Sequence, residues 1–199
     1  MDIYQIWTAH NRPWSMREIV LFLVILAVCS FFSIRAAHRH QIKIYQALAI
    51  LALLIYLGVV FASTVFTRMP TVRQYELIPF WSWYEVFVNH SRSLLVENLL
   101  NILLLLPAGV LLPIIFARRL RSSVAFMIGA LISAIIEVSQ LILRRGLFEW
   151  DDMFHNGLGC MLGCLIVNAI MERVKRIKGL KKMKKLKEMK KRGKDRGHS

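Results

Sequence analysis

Residues 94–116 read LLVENLLNILLLLPAGVLLPIIF, and this stretch decides the fold class. It is apolar except for Glu97, Asn98 and Asn101, which lie close to its start. A helix rises about 1.5 Å per residue, so roughly 20 apolar residues match a hydrocarbon core about 30 Å thick. The stretch therefore predicts a transmembrane helix that places polar side chains near one surface of the membrane.

Four other apolar runs of membrane-spanning length occur, at residues 19–34, 44–66, 124–143 and 153–171. The chain is 56% hydrophobic over 199 residues, which is more apolar surface than a single soluble core of that size can hold. We predict an all-α fold, a polytopic transmembrane helical bundle of about five transmembrane helices. The membrane domain would span residues 19–171, between an N-terminal segment at 1–18 and a basic tail at 172–199.

The net charge of +15 indicates the orientation, because the basic residues lie apart from the apolar runs. They cluster between the first two runs, between the third and fourth, and most densely in the tail. With five spans these segments share one side, which the positive-inside rule makes cytoplasmic. We predict a multi-pass plasma-membrane protein with a cytoplasmic C-terminus and an extracytoplasmic segment at 1–18. The expected partners are membrane lipids, and no nucleic acid.

The basic tail carries an apolar residue at every third position from Val174 to Met189. In an α-helix such a stripe winds around the axis instead of holding one face. We therefore expect a surface-lying helix for only a few turns, and disorder beyond Lys190.

Polar side chains in three of the runs lie at one depth. They are Glu97, Asn98, Asn101, Glu137, Gln140, Asp151, Asp152 and Asn156. With the orientation above, all fall within about 10 Å of the outer boundary. Ionisable groups inside a span are costly and usually serve a function. We predict that these residues form one ligand-binding site, with Arg145 neutralising the carboxylates or contacting lipid phosphate.

Each of these groups also has a purely structural interpretation. Glu137 and Gln140 could form an interhelical hydrogen bond, and the two aspartates could cap the fifth helix. The aromatic-rich connection at residues 67–93 fits either an interfacial belt or a lid over the site. Pro79 in this connection is expected to break any helix.

Small residues in the fifth run predict close packing. Gly159 and Gly163 have the spacing that lets a neighbouring helix approach. Cys160 and Cys164 lie one helical turn apart, which suits packing better than a disulfide. The sequence shows no cysteine–histidine metal motif, so neither a metal nor a cofactor is predicted.

The ordered motifs between about residues 75 and 165 resemble the VanZ-like family. They are LIPF at 77–80, ENLLNI at 97–102, LPAG at 106–109, IEVSQ at 136–140, FEWDD at 148–152 and NGLG at 156–159. Two residues depart from the pattern: Glu149 stands where Asp is common, and His155 replaces an aliphatic residue. The arginine before the acidic turn is also shifted. The resemblance implies a multi-pass plasma-membrane protein, and the name-giving member is associated with lowered susceptibility to the glycopeptide teicoplanin.

Three functions fit the sequence. The first is binding of a cell-envelope ligand, such as a lipid-linked cell-wall precursor or a glycopeptide, at the outer leaflet. The second is an enzyme acting on lipid-linked substrates, in which Glu137, Asp151, Asp152 and His155 are candidate metal ligands or general bases. The third is a structural subunit of a membrane assembly. The sequence does not indicate the oligomeric state.

Overall fold

The computed structural model describes residues 14–70 and 72–196, with side chains as far as Lys181 and at Met183. Within these ranges the α-helices are α1 Met16–His38, α2 Ile44–Phe61, α3 Trp81–Val88, α4 Arg92–Ile115, α5 Ser122–Leu143 and α6 Trp150–Arg196. A π-helical turn at Ala62–Phe66 continues α2. The strand β1 Gln74–Glu76 pairs in parallel with β2 Leu147–Glu149. The predicted all-α class is confirmed, and in the described part of the chain only this small sheet departs from it.

Five helices are long and apolar enough to cross a membrane, which confirms the predicted number of spans. They are α1, Ile44–Phe66, α4, α5 and the Trp150–Lys181 part of α6. Helix α1 begins before the predicted residue 19 because Ser15 and Glu18 form a capping box. Each of these two side chains bonds the other residue's backbone N–H. Residues 1–13 of the predicted N-terminal segment lie outside the described residues.

The backbones of α4 and α6 approach each other at two glycines. A Cβ atom added to Gly159 would lie 1.8 Å from the carbonyl oxygen of Ile102, and one added to Gly163 would lie 2.1 Å from that of Leu106. Both distances are far shorter than van der Waals contact, so these positions require glycine. The predicted close approach is confirmed.

The cysteines of α6 belong to the same packed region. Cys160 and Cys164 are fully buried with Leu105 and Ala108 of α4, and both thiols are free. The prediction that they serve packing is confirmed. This core fixes α6 against α4 and α5, and it thereby fixes the depth of the polar residues at the start of α6.

The bundle has two chemically different ends. The acidic end is formed by the starts of α1, α4 and α6 and the ends of the π-helical turn and α5, and it carries residues 67–91 and 144–149. The opposite, basic end carries residues 39–43 and 117–121. At the basic end Gln46 donates to the carbonyl of Ile115 at 2.6 Å, and Asn168 donates to that of Leu120 at 2.8 Å.

Helix α6 continues far beyond the part that can cross a membrane. It runs without a break through the predicted boundary at residue 172 and ends at Arg196. The expectation of disorder beyond Lys190 is therefore wrong. Lysine, methionine, leucine and glutamate are good helix formers, and here they extend a helix that the span has already nucleated.

Candidate acidic site

Asp151 fastens α3 to the start of α6. One carboxylate oxygen accepts from the backbone N–H of Phe80, and the other accepts from the Ser82 N–H at 3.0 Å and from the Ser82 hydroxyl. Asn98 of α4 donates to the same hydroxyl at 3.3 Å. The first N–H groups of a helix lack partners within it, so a carboxylate is favourable there. We call Phe80, Ser82, Asn98 and Asp151 the latch.

The latch settles two of the structural questions that the sequence leaves open. Asp151 does cap a helix, but the helix is α3 and not its own α6. Pro79 does not prevent a helix in the connection, because α3 begins two residues later at Trp81. Residue Phe80 takes a left-handed conformation with φ 61°, which turns the chain into α3.

Asp152, the next residue, has different surroundings. It is half-buried, and one of its oxygens accepts a hydrogen bond from the side-chain amide of Asn101 on α4. The negative charges of Glu97 and Asp151 repel it, whereas the positive charge of Arg68 attracts it. Among the described residues, Asp152 therefore accepts one hydrogen bond and has several charged neighbours, whereas Asp151 accepts three hydrogen bonds.

Glu137 of α5 is 2% exposed and reaches the connection before α6. Its Oε2 accepts from the backbone N–H of Glu149 at 3.0 Å. Glu149 ends strand β2, where the strand pairing sets it opposite Glu76. The buried carboxylate of Glu137 thus holds the end of β2 in place.

Four carboxylates from four elements interact at this end, and we call Glu97, Glu137, Glu149 and Asp152 the open cluster. Glu137 interacts electrostatically with Asp152 and Glu149, and Glu149 with Asp152 and Glu97. Burial, and then the charge of Asp152, raise the pKa of Glu149 to about 7. The raised pKa is the expected consequence of collecting like charges in one half-buried place.

Arg68 is a basic residue that acts on this cluster. Its charge attracts both Glu137 and Asp152. Its Nη1 atom lies 2.8 Å from the position that a Cβ atom would take on Gly146. Gly146 has φ 133°, a conformation that L side chains rarely adopt. The glycine therefore serves both the turn and the space for the guanidinium group.

Gln140 and Arg145 contact the π-helical turn instead of the open cluster. Gln140 donates to the carbonyl of Thr64 at 3.1 Å, and Arg145 donates to that of Phe66 at 3.1 Å. Arg145 also pairs with Glu18 of α1 at 3.5 Å. A π-helical turn disturbs the regular helical hydrogen bonding, and these side chains satisfy some of its carbonyls. They join α1, α2 and α5 at the acidic end.

Two buried side chains on α6 have unsatisfied polar atoms. Asn156 donates to Ser133 Oγ at 2.9 Å, but its Oδ1 has no partner among residues 14–70 and 72–196. His155 is fully buried, its ring centroid lies 5.5 Å from that of Trp83, and neither ring nitrogen has a partner within those residues. Buried polar atoms nearly always have a partner, so a water molecule or ligand group is expected here.

The nine residues that the sequence assigns to one site are divided by the structure into groups. The open cluster contains three of them, Glu137, Asp152 and the exposed Glu97, and Asn101 contacts it. The latch contains Asn98 and Asp151, and the π-helical turn is held by Gln140 and Arg145. The ninth residue, Asn156, lies one helical turn beyond Asp152. All nine lie toward the acidic end. Their role in ligand binding stays a prediction.

Sequence reasoning missed Glu149 and Arg68 as site residues. Glu149 precedes the two predicted aspartates in FEWDD, so its position beside them was an available signal. Arg68 follows the second run, and nothing in its local sequence indicates that it lies near α5 and α6. Within the described part of the chain, no group of three or more histidines, cysteines and acids is arranged to hold a metal ion.

The fold and site define a polytopic membrane protein with an acidic site at one end of its bundle. The model of the VanZ/LLP1 family matches residues 47–171, which is more than half of the chain. The chain therefore belongs to the VanZ/LLP1 family, as the resemblance indicated. The match excludes α1 and the basic tail. No curated protein and no solved structure matches the chain.

Proposed function

We propose that this protein binds a cell-envelope or lipid-linked ligand at the open cluster, in the outer leaflet of the plasma membrane, and thereby lowers susceptibility to the glycopeptide teicoplanin. The observation that supports the proposal is that carboxylates from α4, α5, β2 and α6 lie at one end of the bundle, where Glu137 accepts from the backbone N–H of Glu149 and Asp152 accepts from Asn101, one helical turn from Glu97. Crowding acidic groups in a half-buried place costs stability, and such clusters in membrane proteins usually serve a function. A ligand with an amine, sugar hydroxyls or a peptide stem would supply the donors.

The helix α3 and its aromatic side chains support the lid interpretation of the connection. Asp151 fixes α3 beside the start of α6, next to Asp152. Tyr84 and Phe87 on α3 are more than half exposed, so they can contact lipid or the ligand at headgroup level. The latch would hold this surface while the open cluster binds the polar group.

The orientation is part of the proposal and has its own test. A reporter fused after residue 199 is expected to be active only in the cytoplasm, because the basic end faces inward. Phe87 is exposed, so the cysteine of the variant Phe87→Cys should react with a membrane-impermeant maleimide on intact cells. The reverse pattern would place the open cluster at the inner leaflet and remove the outer-leaflet function.

The ligand proposal is tested by expressing the full chain in a teicoplanin-susceptible bacterial host. We expect expression to raise the inhibitory concentration of teicoplanin, and Asp152→Asn and Glu137→Gln each to abolish the effect at unchanged membrane abundance. Glu172→Gln is the matched control, because this exposed glutamate pairs with Arg119 at the basic end of α6. It should keep the wild-type effect.

Other outcomes would contradict the proposal in distinct ways. If both variants lose activity only because membrane abundance falls, the carboxylates hold the fold and do not bind the ligand. If wild-type expression leaves susceptibility unchanged, the glycopeptide part of the proposal is wrong. If Glu172→Gln behaves like Asp152→Asn, the effect does not come from the open cluster.

A further inference from the structure

An apolar groove of about 240 Å³ lies between α1 and α2, beside the acidic site. Phe22 and Ile25 of α1 and Leu54, Leu57 and Gly58 of α2 contribute to its lining. The ring of Phe22 occupies the space at Gly58, where a Cβ atom would lie 2.1 Å from the ring. In the membrane, a groove with such a lining is a place for a hydrocarbon chain.

The groove ends at Arg145. Two of the residues that line it, Glu18 and Phe66, are the residues that Arg145 contacts, through an ion pair at 3.5 Å and a carbonyl at 3.1 Å. The Nε atom of Arg145 is buried and has no acceptor in the described part of the chain. A donor without an acceptor at the end of an apolar groove indicates a place for an anionic oxygen.

A second arginine, Arg68, reaches the residue that follows Arg145 in the chain. Arg145 directly precedes Gly146, and Nη1 of Arg68 lies 2.8 Å from the Cβ position of Gly146. The charge of Arg68 also acts on Glu137 and Asp152. The acidic end thus carries an apolar groove, two arginines and a cluster of carboxylates.

We propose that the site takes an aminophospholipid of the membrane. One acyl chain lies in the α1–α2 groove, the phosphate lies at Arg145 and Arg68, and the primary ammonium group lies at Asp152 and Glu149. Each part of the lipid then meets a complementary part of the protein: the acyl chain meets the apolar groove, the phosphate meets the arginines, and the ammonium group meets the carboxylates. The inference rests on the proposed function, because both use the carboxylates of the open cluster.

The carboxylates distinguish this lipid from its relatives. A phosphatidylglycerol has the same chain and phosphate, but it brings hydroxyls and a net negative charge toward the open cluster. A phosphatidylcholine has a positive charge, but its quaternary ammonium has no N–H to donate. Each therefore lacks one of the interactions that a primary amine makes with a carboxylate.

The test uses the full chain purified in detergent, with palmitoyl-oleoyl phosphatidylethanolamine, phosphatidylglycerol and phosphatidylcholine added separately and bound lipid measured by native mass spectrometry. We expect phosphatidylethanolamine to bind at least about tenfold more tightly than either of the others. Asp152→Asn should remove the preference over phosphatidylglycerol while both lipids still bind. Arg68→Gln should weaken both.

The groove has a matched pair of variants. Ile25→Trp fills the groove and should reduce retention of all three lipids. Val28→Trp places the same ring on an equally exposed position of α1 outside the groove, and it should bind lipid like the wild type.

Equal retention of the three lipids by the wild type, or unchanged retention in Ile25→Trp, would overturn the inference. If either result is obtained while Asp152→Asn still abolishes the effect on teicoplanin susceptibility, the proposed function is retained and the lipid site is rejected. If phosphatidylethanolamine binds as expected but the carboxylate variants leave susceptibility unchanged, the lipid site stands and the glycopeptide function fails.

Discussion

The latch and the open cluster are neighbouring regions built from the same kinds of residue, yet their carboxylates have opposite surroundings. Asp151 in the latch is 3% exposed and accepts from two backbone N–H groups and one hydroxyl. Asp152 in the open cluster accepts from Asn101 and lies among the charges of Glu97 and Asp151. Of these adjacent aspartates, Asp151 thus holds the fold, and Asp152 is the one that we propose for ligand binding.

We infer that the number of hydrogen-bond donors, and not burial, distinguishes a structural carboxylate from a candidate binding residue. Glu137 is as buried as Asp151, but it accepts from one backbone N–H, that of Glu149, and also interacts with other carboxylates and with Arg68. A buried charge with a full set of donors is stable where it is, and one among like charges gains from a ligand that brings donors or positive charge. The following predictions test this distinction.

Asp151→Asn should have the largest effect. An asparagine would direct its N–H₂ group toward the N–H groups of Phe80 or Ser82, leaving buried donors unpaired at a cost of about 3–5 kcal/mol. Thermal unfolding in detergent should show the loss, and amide exchange in α3 should become faster. Asp152→Asn is the control on the same helix turn, and equal destabilisation by both variants would erase the difference between the two regions.

Raising the pH should destabilise the protein through Glu149. Its pKa is raised from 4.5 to about 7, so the folded state holds this proton more tightly than the unfolded state. The contribution is fully present below pH 4.5 and is lost as the pH rises through 7, by at most about 3 kcal/mol. Unfolding measured between pH 4.5 and 7.5 should show a smaller decline for Glu149→Gln than for the wild type. An identical decline in both would mean that folding does not raise the pKa of Glu149.

Ser82→Ala should have a smaller effect on the latch. The variant loses the hydroxyl that joins Asp151 to Asn98, but the backbone N–H of residue 82 still bonds Asp151. We expect a loss of about 1 kcal/mol in the free energy of unfolding, with α3 still in place. Unfolding of α3 in this variant, seen by amide exchange, would mean that the hydroxyl and not the carboxylate fixes the helix.

Asp152→Asn should have the smallest effect on stability, and in the opposite direction. The amide keeps an oxygen that can accept from Asn101 and removes a charge that Glu97, Glu137 and Glu149 repel. We expect unchanged or slightly raised thermal stability, by less than about 1 kcal/mol. A large loss would show that Asp152 belongs with the latch.

The fold follows from the sequence because each span is a continuous apolar run whose partner is the membrane. The close approach of α4 and α6 also follows, since Gly159 and Gly163 announce it locally. Helix α3 does not follow, because its first N–H groups depend on Asp151, which is 71 residues from Phe80 in sequence. The length of α6 does not follow from the composition of the tail, because the tail extends a helix that the preceding span has already nucleated.

The sequence predicts how deep the site residues lie in the membrane, but it does not predict which side chains contact one another. Counting residues from the ends of the spans places Asn101, Glu137 and Asp152 near one surface of the membrane. It does not show that Asp151 and Asn98 meet Ser82, or that Arg68 and Glu149 lie with the open cluster. These contacts arise where short strands and a short helix from distant segments meet, and periodicity carries no information about them.

The central claim is that carboxylates from separate segments share one site, and the titration of Glu149 tests it most directly. Isotope-edited infrared spectroscopy of the full chain in detergent can follow this carboxyl group in the wild type, Asp152→Asn and Glu172→Gln. The account predicts a pKa of about 7 in the wild type and in Glu172→Gln, and a lower pKa in Asp152→Asn because the strongest neighbouring charge is gone. A pKa of Glu149 in Asp152→Asn that equals the wild-type value would show that the two carboxylates do not meet.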